Sequence, residues 1–395
     1  MKPLSIFYVY YHSYYDMPIH VSDVIEELVY QKDKVYLFTA IESSLLKNCS
    51  WEKCVQIINI PVVNIRILNR LCYSLLLFFL LPLWCIRIKP DFIYERISFS
   101  TVVTVIISRL MHIPIVSEVN GIVVEELKLA GQSPLRIKLT KICEWFSLNY
   151  SSLSIAVTED IKKWLIKTYK LPRNKIETVT NGTNVRRFFP RDTKTARNRF
   201  HLPTTGKFYV GYLGTLTPWC GVELLIKCAA KVLLEFPDVE FLVGGGQEPY
   251  LSIFQDQVKK KGLQNNFRFF GNIPWAEAPF FISSFDIAVL SIVNLPSGTS
   301  PQKLYSYLAC NKPVIGSDTG EVGEVLKNHN AGLIFAPGNY ESLGDCILKF
   351  LRNSKLRNEM GQRGYPVVAQ AYSWNVKVKQ LKEIICQTLN CQGFN

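Results

Sequence analysis

Histidine is scarce in this chain and cysteine is unpaired. Five histidines in 395 residues, at 12, 20, 112, 201 and 329, show none of the spacings that metal sites use, so we expect no metal and no bound cofactor. Eleven cysteines are an odd number, scattered without a C-x-x-C pair. That excludes a disulfide framework and reads as reduced thiols of a cytoplasmic protein. The Asn-x-Ser/Thr sequences at Asn48, Asn149 and Asn181 then go unused. Acidic residues are also short, 32 Asp+Glu against 45 Lys+Arg, which leaves a net charge of +13. No zinc-finger spacing, RNP-like string or basic zipper accompanies the excess, so we expect no nucleic-acid partner. The N-terminal MKPLSIFYVYYHS lacks a small-residue cleavage site and reads as a first β-strand, not a signal peptide. Charged residues at 19% and aromatics at 12% exclude a disordered or collagen-like chain.

What is present is length, apolar content and rhythm. A chain of 395 residues, 48% hydrophobic, holds two or three domains at roughly 100–200 residues each. LSIFYVYY (4–11), KVYLFTA (34–40), PDFIYER (90–96), IPIVSEVN (113–120) and SLSIAVTE (152–159) read as strands, with helices at 20–31, 100–112 and 159–170. The rhythm stops at 183–206, which is polar and basic, and resumes with KFYVGYLG (207–214), VEFLVGGG (239–246), DIAVLSI (286–292) and PVIGSD (313–318). Near-continuous Val/Ile/Leu strands alternating with helices predict parallel sheets covered on both faces. We therefore expect an α/β chain of two doubly wound, Rossmann-like domains, 1–190 and 191–370, with a tail at 371–395. Open parallel sheets take their ligands at the carboxyl ends of the strands.

One run is apolar enough to meet a membrane. LCYSLLLFFLLPLWCI (71–86), flanked by Arg66, Arg70, Arg87 and Lys89, is interrupted by Pro82 and short of the ~20 residues that span a bilayer. It reads as a helix buried against a sheet, as a helix set shallowly into one leaflet or, despite its length, as a true span. The charge is uneven too. Residues 151–200 carry 12 basic and 4 acidic residues, and 351–395 carry 7 and 2. If the tail crosses back to the first domain, both segments sit near those arginines, as a docking face for an anionic membrane surface or as a merely solvated one.

Several motifs carry chemistry. Gly211 and Gly214 in VGYLGTL follow a strand, and Gly244-Gly245-Gly246 closes the next. Glycines there let backbone amides approach a phosphate, although most strand-end glycines simply make turns. In SGTSPQKLYSYLACNKPVIGSDTGEVGEVL (297–326), Pro301 starts a helix whose first turn carries Lys303. A helix N-terminus with an ammonium suits a diphosphate; alone, Lys303 reads equally as a solvated helix residue.

Taken together, NGTNVRRFFP (181–190), VGYLGTLTPWCGVELLI (210–226), FFGNIPWAEAPFFISSFDIAVL (269–290), the 297–326 segment and AGLIFAPGN (331–339) resemble glycosyltransferase family 4 in order and spacing. PIHVSDVIEELV (18–29), IPIVSEVNG (113–121) and YSWNVKVKQL (372–381) extend the resemblance over nearly the whole chain. It implies the GT-B architecture, two Rossmann-like domains facing a cleft. It also implies transfer of a sugar from a nucleoside-diphosphate sugar, with retention, to a glycan, lipid-linked or small-molecule acceptor. The resemblance places Gly214, Thr215, Gly246, Ile273, Pro301, Leu304, Ser306 and Glu324 around the donor. Lys303, Asn120, His20 and Glu118 become the candidates for the chemistry.

The departures from the family pattern are as informative. Its two glutamates, eight positions apart, fall on Gly298 and Ser306, and its Arg and Lys diphosphate clamp falls on Thr215 and Cys220. Each lost charge-assisted bond is worth roughly 1.5–3 kcal/mol. Lys303 is then the main counter-charge for a diphosphate, and the alternative is a catalytically degenerate member acting as a binding or scaffold partner. The loop after the first strand, HSYYDMP (12–18), is bulky where the family is usually glycine-rich, and Asn120 stands where many members carry a histidine.

Overall fold

The computed structural model describes residues 2–11, 19–41, 46–47, 49–62, 66–293 and 300–389. The 12–18 loop and Gly298 lie outside them. The chain forms two compact units. One runs to Asn181 and takes in the C-terminal helix from Trp374; the other holds most of Gly182–Ser373.

The first unit is a seven-stranded sheet in the order β3-β2-β1-β4-β5-β6-β7, parallel at every pairing. Its elements are β1 (Ser5–Tyr10), α1 (Ile19–Tyr30), β2 (Lys34–Thr39), β3 (Gln56–Asn59), α2 (Arg66–Ile88), β4 (Phe92–Arg96) and α3 (Thr101–Met111). Then follow β5 (Ile115–Val119), α4 (Val123–Leu129), α5 (Pro134–Tyr150), β6 (Leu153–Ala156), α6 (Glu159–Tyr169) and β7 (Ile176–Thr178). Strand alternation divides the core in two. Ile6, Tyr8 and Tyr10 pack with α1 and the C-terminal helix, whereas Phe7 and Val9 pack with α2 and α3.

The C-terminal helix, Trp374–Leu389, is tied down by polar anchors. Trp374 donates its indole N–H to Asp23 at 3.1 Å, and Lys382 pairs with Asp33 at 2.6 Å. Both members of that pair are buried, and removing one partner would strand a charge at a cost of about 3–5 kcal/mol. This corrects the expectation for the tail charge. Lys382 faces inward, on the sheet face opposite α2, so the tail does not join the arginines that flank α2.

The second unit is a six-stranded sheet, β10-β9-β8-β11-β12-β13, again parallel throughout. It comprises α7 (Thr193–Arg199), β8 (Phe208–Leu213), α8 (Val222–Glu235), β9 (Val239–Gly244), α9 (Tyr250–Lys260), β10 (Phe267–Phe269) and α10 (Ala278–Ser283). They are followed by β11 (Ile287–Leu290), α11 (Gln302–Ala309), β12 (Val314–Ser317), α12 (Gly320–His329), β13 (Gly332–Phe335), α13 (Tyr340–Arg352) and α14 (Ser354–Gln362). Residues 182–190, expected with the first domain, pack here instead. Phe188 is fully buried in this core, and the Thr183 amide donates to the Tyr372 carbonyl at 2.9 Å.

Candidate active site

Each sheet gathers polar side chains at the carboxyl ends of its strands. In the first unit, parallel register sets Arg96 of β4 beside Glu118 of β5, and period-two alternation points Tyr94 the same way. Glu118 is buried and accepts hydrogen bonds from the Tyr94 hydroxyl and the Asn120 amide. His20, in the first turn of α1, has Nε2 2.7 Å from the Arg96 guanidinium. Burial first, and then the Arg96 charge, hold its pKa well below the usual imidazole value. The neutral ring therefore accepts from Arg96, and His20, Glu118 and Asn120 form one cluster with Arg96 and Tyr94.

The other side of β4 carries Glu95, fully buried. Burial pushes its carboxyl up to about 7, against hydroxyls of Thr104, Thr101, Ser100 and Ser98 that pull the other way. Ser100 donates to it at 3.1 Å. Beyond that strand end lies a cavity of about 290 Å³ whose polar wall is Tyr11, Arg70, Ser98, Arg136, Thr140 and Glu144. Burial raises Glu144 to about 7 as well, against the hydrogen bond from Tyr169, whose hydroxyl donates at 2.5 Å.

In the second unit Lys303 stands in the first turn of α11, which begins after the buried Pro301. Its Nζ donates to the Tyr212 hydroxyl at 2.9 Å, and that hydroxyl donates to the Thr215 carbonyl at 3.0 Å. A Cβ on Gly214 would lie 2.2 Å from Nζ, so only glycine lets the ammonium rest against the β8 strand end. Burial lowers the Lys303 pKa to about 8, with Cys220 opposing. Tyr307 clamps the same strand end: its hydroxyl accepts from the Leu213 amide at 2.8 Å and donates to the Leu213 carbonyl at 3.0 Å. One strand over, Gly246 leaves room for Asn272, whose amide would stand 2.8 Å from a Cβ. Ile273 borders Gly244 there.

Of the remaining positions read from the sequence, Thr215 joins the Lys303 cluster through its carbonyl. Thr215 is exposed on its loop and Cys220 is buried. The Leu304 side chain is fully buried in the core. Ser306 is 6% exposed; its hydroxyl sits 3.0 Å from that of Thr183 and donates to the Gln302 carbonyl at 3.2 Å. Glu324 is exposed on α12, one turn from Glu321, which accepts from Tyr305. Sequence reading missed Tyr94, Arg96 and Tyr212 as partners of the site. Alternation along PDFIYER, with Tyr94 and Arg96 sharing a face, is the signal that points to two of them.

With this geometry in place, comparison with known proteins is informative. Residues 17–187 match the model described as Glycosyltransferase Family 4, and 194–367 the model described as Glycosyl transferases group 1. A phosphatidyl-myo-inositol mannosyltransferase of Mycobacterium leprae is 27% identical over 58% of this chain and 58% of its own length. A D-inositol 3-phosphate glycosyltransferase of Corynebacterium urealyticum is 23% identical over 62% of this chain and 58% of its own. The match thus spans somewhat over half the length of these relatives. Anabaena HepE in complex with UDP superposes with a TM-score of 0.77 at 17% identity, covering 97% of this chain and 100% of that one. At that identity the superposition shows a shared GT-B fold.

Proposed function

Because the chain belongs to the group 1, family 4 glycosyltransferases, we propose that it moves a sugar, with retention, from a nucleoside-diphosphate sugar to a glycan or lipid-linked acceptor. The observation that carries the reading is the Lys303 ammonium resting against Gly214 at the end of β8. A compact cation beside glycines and the N-terminus of α11 suits a diphosphate. As the bond from the sugar's anomeric carbon to the diphosphate breaks, its electron pair stays on the leaving oxygen. Lys303 stabilises that charge where it develops, so the reading assigns the counter-charge to a lysine and not to a metal ion. HepE, solved with UDP and with UDP-glucose, supports a nucleotide sugar as donor.

In the same reading the first unit meets the acceptor. His20 and Asn120 orient the transferred sugar or the acceptor hydroxyl, with Glu118 holding Asn120 in place, and the cavity beside Arg70 and Arg136 receives the rest of the acceptor. The first unit is also the side on which the enzyme would meet an anionic membrane from the cytoplasm. The test is a donor panel of UDP-, GDP- and ADP-sugars with donor cleavage as readout, followed by NMR of the product anomer. We expect turnover of one donor with its anomeric configuration kept. Failure of every donor, with no nucleoside diphosphate bound, would refute the reading.

A further inference from the structure

The three helices α2, α3 and α5 lie side by side on one face of the first sheet, and their outward sides are apolar. On α2, Leu71, Leu75, Phe79, Leu83 and Ile86 recur every three to four residues and are each more than half exposed. Ile106 and Leu110 continue the surface on α3, and Leu135, Leu139, Ile142 and Trp145 on α5. Scattered exposed apolar residues need no explanation, but a face spanning three helices marks an interaction site.

Charge identifies the partner. Along all three helices the only carboxylate is Glu144, and it is buried. Arg70, Arg87, Arg109, Arg136, Lys138 and Lys141 are all exposed. We propose that this face docks on an anionic phospholipid leaflet, with the apolar residues entering the acyl boundary and the six cations at headgroup level. The helix α2 is long and apolar enough to cross a bilayer by composition. Yet its inner side, Tyr73, Leu77, Leu81 and Cys85, is 2% exposed or less, and the Tyr73 hydroxyl donates to the Phe38 carbonyl at 3.1 Å. It lies along the sheet, and so in the membrane plane. A second copy of the chain is a poorer occupant, because a two-fold interface sets a patch against itself and would bring these cations together. Arg70 and Arg136 belong both to this face and to the cavity wall. Docking therefore sets the cavity mouth at headgroup level, where a lipid-borne acceptor would present its polar end. That last step rests on the acceptor reading above; docking does not.

Co-sedimentation of the full chain with vesicles of phosphatidylcholine, alone or mixed with phosphatidylglycerol, tests the proposal at low and high salt. We expect pelleting with the mixed vesicles at low salt, reduced by salt, and little with phosphatidylcholine alone. Lys138→Gln with Lys141→Gln should weaken it about 30-fold, near fivefold per basic residue. Leu75→Ser with Phe79→Ser should abolish it, and Lys355→Gln on α14 should leave it unchanged. Equal binding to both vesicle types, no binding to either, or a dimer in sedimentation velocity that the Leu75 and Phe79 changes dissociate would each overturn the proposal. Because binding is read without turnover, it stands apart from failure of the donor panel.

Discussion

The two parallel sheets end their strands in different chemistry. At the edge of the first, carboxyls are buried and hydrogen-bonded: Glu118 under Tyr94 and Asn120, and Glu95 among hydroxyls. At the edge of the second, the central group is an ammonium held by a phenol and a glycine. One backbone architecture thus supplies two environments, and the side chains placed at the strand ends decide which. Strand ends with a desolvated cation and no carboxylate beside it suit the anion that leaves in glycosyl transfer; strand ends that mix acids, phenols and an imidazole with the Arg96 guanidinium suit hydroxyl groups.

The largest expected effect is at Lys303. Lys303→Met should lower donor use by one to two decades, corresponding to a charge-assisted bond of ~1.5–3 kcal/mol, with the melting temperature little changed. The same group sets a pH limit. Its pKa of about 8 means that the free enzyme loses the ammonium as pH rises through that value. Donor kcat/KM should therefore fall above about 8, and Lys303→Arg should move the limb to higher pH. A flat profile would detach Lys303 from the donor.

The acidic edge predicts a stability effect of somewhat smaller size. The folded pKa of Glu95, about 7, lies above its ordinary value. Its protonated form is therefore the one that folding favours, and that contribution is lost as pH rises through about 7. Glu95→Gln keeps a neutral side chain at every pH, so it should stabilise the protein at pH 8 by about 1–2 kcal/mol and change little at pH 5. Thermal melts at both pH values provide the check.

Ser306→Glu addresses the missing family carboxylate. Because Ser306 is buried with its hydroxyl bonded, a carboxylate there lacks solvent and partners. We expect a loss of about 1–2 kcal/mol in stability and no gain in nucleotide affinity. Tighter UDP binding by this variant would show that the position still opens to the ribose. The smallest effect is at the Glu118–Asn120 pair. Asn120→Ala should cost about 1 kcal/mol of transition-state stabilisation, and Glu118→Gln about the same through Asn120. The double variant should lose little more than either alone, since the two act as one unit.

Much of this was legible in the chain, for reasons that differ by element. The β1, β4, β5, β8 and β9 strands announce themselves because strands covered on both faces read as continuous apolar runs. Helix α5 was not read, because Leu135, Ile137, Leu139, Ile142, Trp145 and Phe146 put apolar groups on its outward as well as its inward side, which blurs the helical period. Lys303 was visible through its place after Pro301. The pairing of Ser306 with Thr183 was not, since those hydroxyls meet across 123 positions of chain and no local pattern encodes the contact. The same holds for Lys382 and Asp33, 349 positions apart, which turned an apparently basic tail into a buried anchor.

Nucleotide titration decides whether Lys303 meets the diphosphate. Calorimetry of UDP, GDP and ADP should show one of them binding the wild-type chain, with Lys303→Met weakening that same nucleotide by one to two decades at unchanged fold. Equal binding by the wild-type and Lys303→Met chains, or no binding of any nucleoside diphosphate, would contradict that contact.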